Sequence, residues 1–340
     1  MSEVAFPLLG AGIVMVLVLP ACALLAKAAL MLLERHKASG PLHGLAARYV
    51  VLTAASILPL AWFLSAGLHQ AEAGESVLAC LFDHHTAELC FEPGLFALTL
   101  ALVVVGLGVA TMERHAAPRA SLVPEAAELA RRLEGIVQTH AELNDLQGRI
   151  RIVDVHGFSL STTGLIRPTI VIGLAYAASI SDAMLASALG HEGEHVRSRD
   201  PLRYFILNLA LAINPCSRFL LAPHATRWYA AREVHCDREA VIRGASPLSL
   251  AEAIVRAARP SIRELVALGA RETAVLKFRI GMLFAFAEHA PTRCCHRSIS
   301  GFPVAFALLI VALLLPHQTG TAALDAIHVG AEHALTYFWQ

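Results

Sequence analysis

Four stretches of this chain are long and apolar enough to cross a lipid bilayer, and they frame everything between them. A helical span needs about 20 apolar residues to cover the ~30 Å hydrocarbon layer. Residues 4–33 form one run, broken only by Pro7, Pro20 and Lys27; 45–68 form a second, ending near Trp62. Residues 95–111 form a third, with Gly106 and Gly108 suited to close helix approach, and 299–316 a fourth. The whole chain is 56% hydrophobic and 16% charged, where ordinary soluble domains are about a quarter charged. No positive charge precedes the first run, so it reads as a retained helix and not a cleaved signal.

The lysines and arginines orient these runs. Arg35, Lys37 and Arg48 surround the first connection. The loop at about 69–93 holds Glu72, Glu75, Asp83, Glu88 and Glu92 with no basic residue. Arginines recur from Arg114 to Arg297 and are absent after Gly301. The expected order is three spans within 1–112, a cytoplasmic domain over 113–298, a fourth span at 299–316 and a short outside tail at 317–340. Both termini then lie outside. The apolar stretch 204–222 has arginines at both ends and Asn214-Pro215 within it, so it is expected to pack in the domain or lie against the membrane face. Cys80 and Cys90 share the outside loop, where an oxidising compartment permits a disulfide. Cys294-Cys295 reads as ordinary free thiols near the membrane. Formal net charge is zero and no basic groove is evident, which gives no reason to expect direct nucleic-acid binding.

Within the cytoplasmic section, residues 188–195 read Ala-Leu-Gly-His-Glu-Gly-Glu-His. In a helix, residues four apart share a face, so His191 and His195 can hold one metal while the neighbouring Glu192 serves as general base toward a water on the metal's open position. Zinc suits such a site because three protein ligands leave the fourth position to water. Ser179-Ile180-Ser181-Asp182 has the form of a capping box, and Met184, Leu185, Ala188 and Leu189 then recur with helical period. The competing reading is a surface helix that happens to be rich in His and Glu. Met184, Val196 and Val241 read as core positions.

A third ligand is therefore needed. The helical stretch 226–243, closed by Gly244, carries Arg232-Glu233-Val234-His235-Cys236-Asp237. Glu233 and Asp237 are four apart, so Glu233 can reach the metal while Asp237 hydrogen-bonds a ligand histidine. Glu194, His235, His224 and Cys236 are rival donors, although Glu194 is expected to face solvent. Tyr229, His224, Arg232 and His235 are candidates for stabilising an oxyanion. Upstream, 125–146 reads as an amphipathic helix, and 149–155, 158–160 and 167–173 carry strand signals. Pro168 suits an edge strand, which makes Thr169, Ile170, Val171 and Ile172 a candidate strand for binding an extended peptide. Asp200-Pro201 and Pro223 read as helix boundaries.

These residues resemble the BlaR/MecR-type membrane metallopeptidases of the gluzincin group. The likeness runs from about Ile150 to Val241, through Gly164-Leu165-Ile166-Arg167-Pro168-Thr169-Ile170, His191 to His195, Arg199-Asp200, Asn214-Pro215 and Arg232 to Asp237. It implies a mainly α membrane protein: four transmembrane helices, with an α+β gluzincin-like zinc metallopeptidase domain inserted before the last. It implies one Zn2+ per chain on His191, His195 and Glu233, Glu192 as base and Asp237 orienting a ligand. The antibiotic-sensing members also carry an outside penicillin-binding domain with an S-x-x-K serine. Residues 317–340 are too few for it, and Lys27, Lys37 and Lys277 have no serine three places before them.

The function expected is a metalloendopeptidase of the bacterial inner membrane that cleaves a cytoplasmic regulator, such as a transcriptional repressor, or itself. Its partners would be that protein substrate, the bilayer and a second copy in a homodimer. Two other readings stand beside it. One is an HtpX-like protease of membrane-protein quality control, whose H-E-x-x-H and later E-x-x-x-D are also present here. The other is a non-catalytic zinc-binding receptor, against which Glu192 argues, because a structural zinc site fills its fourth position with protein.

Overall fold

The computed structural model describes residues 14–35, 44–72, 101–105, 107–108, 124–155, 157–262 and 270–291. These are mostly helical, with one small sheet. The chain divides into two compact units, one of Met1–Arg114, Ile206–Thr226 and Ser298–Gln340, the other of His115–Phe205 and Arg227–Arg297.

In the first unit a π-helical turn, Val14–Val18, runs into α1, Leu19–Arg35. The segment Val16–Arg35 has a mean hydropathy of 2.4 over 20 residues, long and apolar enough to cross a membrane. Leu17, Leu24, Leu25 and Leu32 on it are exposed, an apolar surface that water disfavours. Its other face, Leu19, Ala23, Ala26 and Leu30, is buried, and α1 packs against α2, Leu45–Glu72, where Tyr49, Leu52 and Ala55 are buried. Small alanines on both helices allow that approach. Within α2 the described side chains cover the apolar stretch Leu45–Pro59. Among the described residues one helix, and not four, meets the length and apolarity of a span. Residues 101–105 and 107–108 of the third run are helical. The rest of that run, the fourth run, Cys80, Cys90 and Cys294-Cys295 lie outside the described residues.

The second unit opens with α3, Pro124–Thr139, and a 3-10 turn, Ala141–Leu146. Then come β1 (Ile150–Val153), β2 (Leu160–Thr163), β3 (Thr169–Gly173) and the short α4, Leu174–Ala178. The motif helix is α5, Asp182–Ser198, followed by α6 (Asp200–Ile213), α7 (Pro215–Arg243), α8 (Pro247–Ile262) and α9 (Ala270–Glu288). The C-terminal part of α6 and the N-terminal part of α7 belong to the first unit, and the rest of each helix to the second.

The sheet order is β1-β3-β2, parallel between β1 and β3 and antiparallel between β3 and β2. This corrects the expectation for Thr169, Ile170, Val171 and Ile172: they form the central strand, paired on both sides, and offer no free edge. Pro168 stands just before the strand, so its missing N–H falls outside the ladder; the amide of Ile170 already donates to Arg149 O at 2.8 Å. Gly173 ends β3 where a Cβ would meet the Phe158 carbonyl oxygen at 2.0 Å, so only glycine lets the two segments close. Of the two outer strands, β1 and β2, it is β2 that packs beside α5.

Helix α5 is buried along almost its whole length. Met184, Leu185, Ala188, Leu189 and Val196 join Ile170, Ile172, Leu133 and Leu146 in one core, in keeping with their apolar spacing. Ser181 caps the helix by accepting from the Met184 amide; Ser179 instead closes α4. Pro223 lies inside α7 and does not end it. Val241 packs half-buried beside Leu250, Ala251 and Leu283.

Candidate metal centre

Helix α5 ends at Arg199, a non-glycine residue in the left-handed region with φ 52° and ψ 43°, whose amide donates to the carbonyls of His195 and Val196. This tight reversal starts α6 at once and brings the Asp200 carboxylate back to His195. His191 and His195 lie one turn apart on α5, and α7 brings Glu233 to them.

The two Nε2 atoms are 3.2 Å apart. Glu233 Oε2 is 3.5 Å from Nε2 of His191, and its Oε1 is 3.5 Å from Nε2 of His195. A tetrahedral zinc with bonds of about 2.1 Å has ligand-to-ligand edges of about 3.4 Å, so each Nε2 has a Glu233 oxygen at about such an edge, Oε2 for His191 and Oε1 for His195. The outer nitrogens are also assigned. His195 Nδ1 is 2.8 Å from Asp200 Oδ2, and His191 Nδ1 lies 2.7 Å from Asp237 Oδ1, off the line of an ideal hydrogen bond. The carboxylates place the proton of each neutral ring on Nδ1. Both Nε2 lone pairs then converge with a carboxylate, three acceptors that could hold a metal ion. The electrostatics point the same way. Burial works against charge on His191 and His195, yet the surrounding carboxylates of Asp237, Glu233 and Asp200 hold both rings above the ordinary imidazole value. Burial opposes charge on Glu233 as well, but the two histidines and Arg279 hold it far below the usual carboxylate range.

Each outer carboxylate is held by an arginine. Arg232 Nε donates to Asp200 Oδ2 at 2.7 Å, and Arg203 Nη1 reaches Asp200 Oδ1 at 3.2 Å. Arg279 of α9 holds Asp237 with two bonds of 2.8 Å and reaches Glu233 Oε2 with Nη1 at 3.0 Å. A second group of donors, His195, Asp200 and Cys236, is also close enough for a metal. There Arg232 and Arg203 already neutralise Asp200, and burial pushes the Cys236 thiol up, so that group is satisfied without an ion.

Glu192 is buried, and its Oε2 accepts from Thr162 Oγ1 of β2 at 2.6 Å. Glu194 does not face solvent as expected: it is buried, because Arg197 at 2.6 Å and Arg243 at 2.7 Å pair with its Oε1. Of the four oxyanion candidates, Arg232 is committed to Asp200. His224 lies in the first unit, 3.0 Å from Glu34. Burial and Arg232 lower His235 to about 4, and among the described residues it makes no hydrogen bond to His191, His195 or Glu233. Tyr229 packs edge-on against Tyr204, with ring centroids 5.0 Å apart. Tyr204 is the aromatic that reaches the ligands, with its hydroxyl 3.5 Å from Glu233 Oε1 and its ring edge-on to His195. Burial and the Glu233 charge keep that phenol protonated.

Five residues escaped the sequence reading as parts of the site: Thr162, Asp200, Arg203, Tyr204 and Arg279, since Asp200 reads there only as a helix start. Thr162 and Tyr204 stand next to strand and helix signals with nothing to mark them, and Arg279 is 42 residues beyond its partner Asp237. Compared with models of protein families, with characterised proteins and with solved structures, the chain has no match.

Proposed function

We propose that the chain is an integral-membrane zinc metalloendopeptidase of the BlaR/MecR-like kind, which cleaves a cytoplasmic regulatory protein or itself. The observation that carries this is the convergence of His191 Nε2, His195 Nε2 and the Glu233 carboxylate with each Nδ1 turned to a carboxylate. The four apolar runs and the arginine distribution support the membrane placement, with the domain of 113–298 on the cytoplasmic side.

His191, His195 and Glu233 would hold the ion, Asp200 and Asp237 fixing the rings. When bound, zinc supplies a Lewis acid at neutral pH. The chain's own residues do the rest. Glu192 takes the proton of the attacking water and returns it to the leaving amine, and Thr162 holds its carboxylate in one orientation. The Tyr204 phenol, 3.5 Å from Glu233 Oε1, is the donor we assign to charge developing on the scissile carbonyl. The outer edge of β2, directly beside Glu192, is the place for an extended substrate, in the role first assigned to β3.

The test compares new protein N-termini in cells carrying the wild type and Glu192→Gln. We expect one product, seen only with the wild type, that maps to a cytoplasmic regulator or to this chain. Many products from membrane proteins would replace this reading with quality control. No difference under any trigger, in a zinc-loaded protein, would replace it with a receptor.

A further inference from the structure

Arg279, like His191, touches both carboxylates of α7 at the metal centre, and it comes from α9, which among the described residues contributes no other side chain to the site. Glu233 and Asp237 are i and i+4 on one helix, so two negative charges share a face, one half-buried and one fully buried. A single planar guanidinium spans them. Nε and Nη2 grip Asp237 at 2.8 Å each, and Nη1 takes Glu233 Oε2 at 3.0 Å. A lysine has no such fork and cannot hold both.

We propose that Arg279 is a positioning residue of the metal centre, which sets metal affinity by holding Glu233 as a ligand with one free oxygen and Asp237 against His191. This rests on the metal-centre reading above and extends it. With Oε2 engaged by Arg279, Oε1 remains for the ion. With Asp237 gripped from behind, its Oδ1 stays 2.7 Å from His191 Nδ1. The guanidinium's two shortest bonds go to Asp237, which is not a ligand, so its anchor lies outside the ligand triangle even though Nη2 passes 3.4 Å from His191 Nε2. The rest of α9 packs against α8. Its buried Leu283 meets Leu250 and Ala251, while Phe278 and Phe284 are exposed. Docking of α9 is thereby tied to the state of the metal site.

The experiment measures the Zn2+ dissociation constant of the detergent-solubilised full chain by chelator competition, for wild type, Arg279→Gln, Arg279→Lys and the exposed neighbour Lys277→Gln. The Co2+ absorption spectrum of each reports ligand geometry, and circular dichroism reports folding. We expect Arg279→Gln to weaken zinc about 10- to 100-fold with an altered Co2+ spectrum, Arg279→Lys to weaken it less, and Lys277→Gln to leave both unchanged. Arg279→Lys keeps charge and bulk, so it carries the test if Arg279→Gln does not fold. Unchanged affinity in a folded Arg279 variant overturns the proposal. Tighter binding also overturns it, showing that the guanidinium competes with the ion. A wild type that binds no zinc removes the metal-centre reading itself, and this proposal with it.

Discussion

The two histidines of the centre carry the same support, written twice: His195 to Asp200 to Arg232, and His191 to Asp237 to Arg279. The first set is built from the end of α5, the start of α6 and α7, and all three of its residues are buried. The second shares α5 and α7 but closes on α9, whose arginine side chain keeps 14% of its surface exposed. One histidine is therefore supported wholly by buried residues, whereas the other depends on a partly exposed arginine supplied by a separate helix. A site built this way has a permanent half and a dependent half.

Substitutions that separate the halves come in order of expected size. Asp200→Ala leaves the buried Arg232 without its carboxylate, and breaking a buried pair from one side costs about 3–5 kcal/mol; thermal unfolding should show it even without metal. Asp237→Ala should cost less stability, about 1–3 kcal/mol, because Arg279 keeps Glu233; its main effect is expected in zinc affinity, measured by chelator competition. Equal losses of stability for the two would break the comparison. Thr162→Val removes the hydrogen bond to the Glu192 carboxylate. Turnover of a peptide substrate should fall about tenfold or more, since bonds to charged groups contribute about 1.5–3 kcal/mol, with zinc binding unchanged.

The smallest effect belongs to an outer pair on the motif helix, Arg197 and Asp145, 2.6 Å apart with Asp145 half-exposed. Hydrogen bonds from Arg197 hold the Asp145 carboxyl below its ordinary value. A carboxyl depressed in the folded state stabilises above its unfolded value of about 3.9 and loses that contribution as pH falls through the folded one. Asp145→Asn should therefore lower stability near pH 7 by under about 1 kcal/mol, because solvent screens the pair. The difference from wild type should shrink toward pH 3 in urea titrations followed by circular dichroism.

The parts of the centre that were readable in the sequence are local. That holds for the histidines, one turn apart, and for Glu233 and Asp237 on one helix face; Asp200 reads there only as a helix start and Arg232 only as an oxyanion candidate. The core helix and the three strands were legible from apolar period and turn residues. Strand order was not, since a parallel partner such as β1 joins β3 through pairing distant in the chain. Proline before β3 pointed to an edge that the register moved to β2. Arg279 and Thr162 were invisible for the same reason: one arginine or threonine among many acquires its role only when tertiary structure brings it to a carboxylate. Glu194 was misread because its partners Arg197 and Arg243 meet it from one turn away and from another helix.

The most direct measurement is zinc content together with peptide-bond cleavage for the purified full chain and for Glu192→Gln and His191→Ala. The account expects one zinc per chain and cleavage in the wild type, one zinc without turnover in Glu192→Gln, and neither in His191→Ala. Cleavage that survives in Glu192→Gln, or a wild type that cleaves with no zinc bound, would contradict it.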